Sequence, residues 1–173
     1  MLGKIITICS LLCIAQCYTP VAKVDIQAYT GRWYQVIGSE LNFAFMRNGT
    51  CVTADYGLGD NNITVLNSQY YNDRLEQITG YAVESNSEIQ GELKVYLAGV
   101  PVAGQYYIYD LGEMIENQYT YSIVSDELFF TLFVLVRNVS YYEMYLTDKL
   151  HQEVEKIGFH LIYDVDQSNC TYA

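Results

Sequence analysis

Between Gly31 and Arg137 apolar and polar residues alternate over short stretches, each closed by a cluster of Gly, Asn, Asp or Ser. A two-residue period marks antiparallel strands, and those clusters tolerate the left-handed backbone of hairpin turns. The pattern predicts eight strands, at residues 31–39, 51–57, 63–71, 78–84, 91–97, 105–111, 119–125 and 132–137. The period then changes. Met144, Leu146, Leu150, Val154 and Ile157 share one face at helical spacing, which predicts a helix over 141–156, capped by Ser140 and ended by Gly158. Residues 159–165 read as a short ninth strand. The fold class is therefore all-β, an eight-stranded antiparallel up-and-down barrel with one C-terminal α-helix packed outside. Eight strands enclose room for one small ligand. A β-sandwich is the alternative architecture.

Length and charge narrow the picture. With 173 residues, 51% of them hydrophobic, the chain has material for a single domain. Nine Lys+Arg against 20 Asp+Glu give a surface that repels phosphate backbones, which excludes a general nucleic-acid role. Residues 1–17 carry Lys4 and then an uncharged apolar run, the layout of a secretory signal peptide cut before Tyr18, with Ala15 and Cys17 as the small residues. The run is shorter than the about 20 residues that span a bilayer. A lipoprotein acylated at Cys17 is the other reading, opposed by Gln16 where a small residue is wanted. Cleavage leaves residues 18–173 as one secreted domain with two cysteines, Cys51 and Cys170, and an even pair outside the cell reads as one disulfide. Glycosylation sequons begin at Asn48, Asn62, Asn138 and Asn169; Asn48 and Asn62 sit in polar loop-like stretches and are the preferred candidates.

The stretch Gly31-Arg32-Trp33 resembles the Gly-x-Trp opening of the lipocalins. A glycine there lets the chain turn from a short N-terminal helix into the first strand, and the sole tryptophan can plug the closed end of a barrel. Further stretches follow in the family's order: Asn48 to Tyr56, Ile63 to Gln69, Asp110 with Tyr119 to Val124, Leu132 to Asn138, and the tail Asp166 to Cys170. In pattern the chain is closest to the apolipoprotein D type and the bacterial lipocalins. The resemblance implies that Arg137 lies over Trp33, a structural cation–π contact at the barrel floor. It also places Cys51 and Cys170 where the apolipoprotein D type has a disulfide.

With Arg137 set inward by the resemblance, alternation turns Leu135 and Phe133 inward too. Alignment to the family adds Ala54, Tyr56, Val65, Asn67, Gln69 and Tyr71, then Leu93, Val95 and Leu97, with Tyr107 and Tyr109. The expected ligand contacts are Tyr56, Asn67, Gln69, Tyr71, Leu93, Val95, Tyr107, Phe133 and Leu135. Apolar walls with a few polar tips suit a hydrophobic ligand with one oriented polar head, and the class is a fatty acid, sterol, retinoid or pigment. Residues 40–49 put Leu41, Phe43, Phe45 and Met46 at the open mouth, as a rim loop or as a contact for a membrane or receptor. No catalytic residue, cofactor or metal site is expected. Paired cysteines leave no thiol nucleophile, and His151 and His160 fall on elements outside the barrel.

Overall fold

A computed structural model describes residues 18–42, 46–86 and 88–172. The expected signal peptide at 1–17, and Phe43 and Phe45 of the mouth loop, lie outside the described residues. Asp25 accepts a hydrogen bond from the Ala28 amide and caps a single-turn helix, α1 (Ile26–Tyr29). Gly31 follows at φ +95°, where a Cβ would sit 3.3 Å from the Arg137 guanidinium. Only glycine allows both that backbone and that approach.

The strands are β1 (Gly31–Ser39), β2 (Thr50–Leu58), β3 (Ile63–Tyr71), β4 (Arg74–Glu84), β5 (Glu92–Leu97), β6 (Gly104–Leu111), β7 (Tyr121–Ser125), β8 (Leu132–Val136) and β9 (Ile162–Asp164). The first eight pair antiparallel, each with the next, and β8 closes on β1 with Tyr34 opposite Val136 and Gln35 opposite Leu135. The barrel prediction holds, and β9 adds to β1.

Several boundaries shift by one residue from the sequence reading, the ninth strand shortens from 159–165 to Ile162–Asp164, and three further differences have a local cause. Strand β4 begins at Arg74, because Asn72 and Asp73 both take positive φ and form a two-residue turn that carries pairing to Tyr71–Arg74. The segment predicted as 119–125 divides at Thr120: Gln118–Tyr119 pairs with Met114–Ile115 in a small separate hairpin, while the Thr120 carbonyl accepts from the Arg137 amide. The helix cap is Asn138, whose side chain accepts from the Tyr141 amide at 2.9 Å, and not Ser140. Helical backbone starts at Val139–Tyr141, widens into a π turn over Tyr142–Leu146, and continues as α2 (Thr147–Ile157), ending at Gly158. The buried face is Tyr142, Leu146, Leu150 and Val154, and Met144, about 200° round the helix from Leu146, is 64% exposed instead of sharing that face.

Two apolar clusters result. Strand residues of one parity, Val36, Ile123, Leu132, Val134 and Val136 among them, face outward beneath the helix. Those of the other parity, with Trp33, Val65, Leu93, Ile108, Val124 and Leu135, fill the barrel.

The C-terminal tail occupies a wedge in the wall. Strand β1 pairs with β2 only over Gly31–Tyr34, and beyond that its edge turns to β9 from Ile37 to Ser39. A Cβ on Gly38 would fall 2.8 Å from the Tyr163 ring, so glycine lets that ring lie flat on β1. In the gap the Gln167 amide donates to the carbonyls of both Gln35 and Val52, and Cys51 bonds Cys170 across 119 positions. Closing so long a loop restricts the unfolded chain and stabilises the fold by about 5 kcal/mol. The double variant Cys51→Ser/Cys170→Ser is expected to lose about that much in urea unfolding, with the far-ultraviolet circular dichroism of the native state unchanged.

Candidate functional site

The closed end is built from Arg137 outward. Its guanidinium lies 3.6 Å from the Trp33 ring centroid and donates to the carbonyls of Arg32, Ala28 and Thr30 at 2.8, 3.0 and 2.8 Å. Burial pulls its pKa down to about 10, so it remains a cation at neutral pH. Trp33 is fully buried, and its indole N–H donates to the Tyr29 carbonyl. Gly31, Trp33 and Arg137 thus take the structural places expected of them.

Above this floor sits a chain of hydroxyls. Tyr56 meets Tyr106 at 3.1 Å, Tyr106 meets Tyr29 at 2.8 Å, and Tyr29 meets Ser122 at 2.8 Å. The Tyr29 and Tyr56 rings stack at 5.8 Å, and Tyr106 meets Tyr56 edge-on. Burial pushes the Tyr56 hydroxyl up to about 12 and moves Tyr29 and Tyr106 the same way. Four hydroxyls share three contacts, so one proton of the four is uncommitted within the chain.

From there to the mouth the inward side chains become less buried. Trp33, Leu93 and Ile108 keep 1% exposure or less, whereas the inward residues Asn67, Gln69, Tyr71, Val95, Leu97 and Phe133 are only partly buried. Side chains pack the lower half, and solvent reaches the upper. Asn67 stands at the boundary, directly opposite Ala54 and Ile78, with its Oδ1 buried and without a hydrogen-bond partner among the described residues. At the rim Gln69 donates to Glu76, Arg47 donates to both Glu76 oxygens, and Arg47 covers the Tyr71 ring at 4.4 Å. The Arg47 guanidinium, and after it the Gln69 amide, hold the Glu76 carboxyl below the usual carboxylate range.

Tyr56, Asn67, Gln69, Tyr71, Leu93, Val95, Phe133 and Leu135 therefore share the inner face. Tyr107 and Tyr109 do not. The inner cluster takes Tyr106 and Ile108 from β6, and the register with β7 slips between Ile108 and Asp110. The extra residue, Tyr109, is turned outward, where its ring meets Phe129 at 4.9 Å. A bulge of this kind inverts the parity of whatever follows, and with tyrosines at 106, 107 and 109 the composition does not reveal the phase. Tyr29, Tyr106, Ser122 and Glu76 were missed; a count of 18 tyrosines was their one signal in the sequence.

On the outside, Leu41 is 57% exposed, beside Leu128 at 66% and Phe130 at 56%. The Ser39 hydroxyl donates to the Phe130 carbonyl and the Asn42 amide to the Leu132 carbonyl, binding these two rim loops together. Met46 is half-buried, and the sequon asparagines Asn48 and Asn62 are exposed. An outer groove of about 540 Å³ runs between the helix start and the tail, and both Asn138 and Asn169 line it. His151 pairs with Asp164 outside the barrel, at 2.9 Å.

Residues 24–165 match the family model of the lipocalin-like domain. The outer membrane lipoprotein Blc of Vibrio cholerae is 33% identical over 143 residues, covering 81% of this chain and 80% of that protein. The Lazarillo protein of Schistocerca americana is 38% identical over 111 residues, 57% of this chain and 50% of its own length. Among solved structures, insecticyanin of Manduca sexta superposes with a TM-score of 0.63 at 17% identity, covering 91% of this chain and 89% of that one. The cockroach allergen Per a 4 gives 0.62 at 21% identity, with 90% and 96% covered.

The buried tyrosines give the fold an alkaline limit. Their hydroxyls ionise near 10 in the unfolded chain and only at higher pH in the native state, so their contribution to stability is complete below pH 10 and is lost as pH rises through about 12. Unfolding free energy is expected to fall from about pH 10 upward. Absorbance at roughly 295 nm, the tyrosinate band, should show at least three tyrosines that ionise only as the protein unfolds, and Tyr106→Phe should flatten the decline.

Proposed function

The chain belongs to the lipocalin family, and on that premise we propose that it is a secreted, non-catalytic carrier that binds a small hydrophobic ligand in the open half of its barrel. The observation that carries this reading is the contrast within one inner face, between a lower half packed to 1% exposure or less and an upper half lined by Asn67, Gln69, Tyr71, Val95, Leu97 and Phe133 and reached by solvent. Apolar walls with a few convergent polar tips fit a lipid-like molecule with one oriented head. A fatty acid, sterol, retinoid or pigment belongs to that class. Secretion is supported by the leader-like residues 1–17 and by the Cys51–Cys170 disulfide, which persists in oxidising compartments. Asn48 and Asn62, exposed in loops, are its proposed glycan sites.

A second reading gives the mouth a role of its own. Leu41, Leu128 and Phe130 form an exposed apolar ridge on loops tied together by hydrogen bonds, which suits contact with a receptor or membrane.

Native mass spectrometry of the secreted protein is expected to show a hydrophobic adduct released on denaturation. Phe133→Ala removes a wall of the open half and should weaken that ligand about tenfold, measured by quenching of Trp33 at a temperature where circular dichroism shows the variant folded. A bare polypeptide that also refuses lipid probes would move the function to the rim.

A further inference from the structure

The carrier reading leaves the ligand's head group open, and the charges of the barrel bear on it. Of the described cations, Arg137 and Arg47 come nearest the interior. Arg137 lies beneath Trp33 with its two terminal nitrogens donating to three backbone carbonyls and its buried Nε without a partner among the described residues. Arg47 is bound by both oxygens of Glu76 at the exposed rim. Arg74 is exposed at the tip of the β3–β4 hairpin, and the others lie on the outer surface, as Arg32 does with Asp55 and Lys156 with Glu153. A carboxylate lowered into the cup would therefore lose its water without gaining a direct ion pair, since Arg137 acts on the cup's base only from beneath, through its field at Tyr56. Glu76, opposite Gln69 on the inner face, adds an anion at the entrance.

The polar groups at the cup's base ask for something else. The buried Asn67 Oδ1 has no donor among the described residues, and the hydroxyl chain from Ser122 to Tyr56 leaves its spare proton on Tyr56 when Ser122 donates to Tyr29, Tyr29 to Tyr106 and Tyr106 to Tyr56. Tyr56 and Asn67 are diagonal neighbours on the inner face, since Tyr56 pairs with Val65 and Asn67 with Ala54. One side supplies an acceptor that wants a donor, and the other a donor that wants an acceptor. A hydroxyl is both.

We infer that this barrel selects an uncharged lipid that carries a hydroxyl, held head-down against Asn67, over the corresponding carboxylic acid. The inference rests on the carrier reading and narrows its ligand class to alcohols. An acid bound at all is held with its carboxylate at Arg47 on the rim, outside the enclosed space.

The test compares three molecules with one tail: dodecanol, dodecanoate and dodecyl methyl ether, titrated at pH 7 into the full secreted protein by calorimetry and by Trp33 emission. The alcohol is expected to bind roughly tenfold or more tighter than the acid, and tighter than the ether, which accepts but does not donate. Asn67→Leu should bring the alcohol to the level of the ether, with an unchanged far-ultraviolet circular dichroism spectrum reporting an intact barrel. An acid that binds as tightly as the alcohol, and loses its binding in Arg47→Ala, would overturn the inference and leave the carrier reading in place. An alcohol advantage that survives Asn67→Leu would overturn the assignment to Asn67. If none of the three binds, the carrier reading falls and this inference falls with it.

Discussion

The guanidinium of Arg137 is the point on which this fold closes. It sits just past the end of β8, yet its donors reach carbonyls of α1, of the turn after it and of β1, and its face lies on Trp33. Start and end of the barrel are thereby joined through one side chain. Taking a cation out of water is costly, and its lowered pKa records that cost. Three carbonyl acceptors and an aromatic face offset it, because each receives charge where water has been removed. Gly31 is the steric condition for the arrangement, since a side chain there would occupy the space the guanidinium needs.

What lies above follows from how that floor is capped. Polar groups over a buried cation need partners, and the Tyr29, Tyr56, Tyr106 and Ser122 hydroxyls find them in one another. The aromatic rings fill the lower barrel while their hydroxyls present a polar surface upward. Asn67 lies at that boundary and is left with an unmatched oxygen, so the transition from packed core to open cup coincides with a change from satisfied to unsatisfied chemistry.

Much of this was legible in the chain. Strands β1 and β3 have the bounds their alternation predicts, because one face of each is buried and the pattern is enforced residue by residue. The Trp33–Arg137 contact followed from a family resemblance, and the Cys51–Cys170 pairing from parity. The parity of β6 was not legible, since a bulge is set by how two strands meet and three tyrosines suit either face. The helix phase was legible except at Met144, which the sequence reading grouped with Leu146, Leu150 and Val154 although a 3.6-residue count sets it about 200° from Leu146, on the solvent side where it lies. The π turn, with the Thr147 hydroxyl on the Tyr142 carbonyl, was not legible. The hydroxyl chain lay beyond reach because its members come from α1, β2, β6 and β7, which only closure of the barrel brings together.

The tail wedged between β1 and β2 has a mechanical meaning. Around the rest of the circumference neighbouring strands are knitted by backbone ladders, bulged at a few positions, which resist widening as a woven hoop does. At this one seam the two strands part toward the mouth, and the gap is spanned by the Gln167 side chain, the Cys51 amide on the Asp166 carbonyl, and the disulfide. A side-chain brace swings on rotatable bonds where a ladder must break. The hoop is thus fastened at the seam by side chains and one covalent bond, and of all its joints this is the one that a reductant can reach chemically.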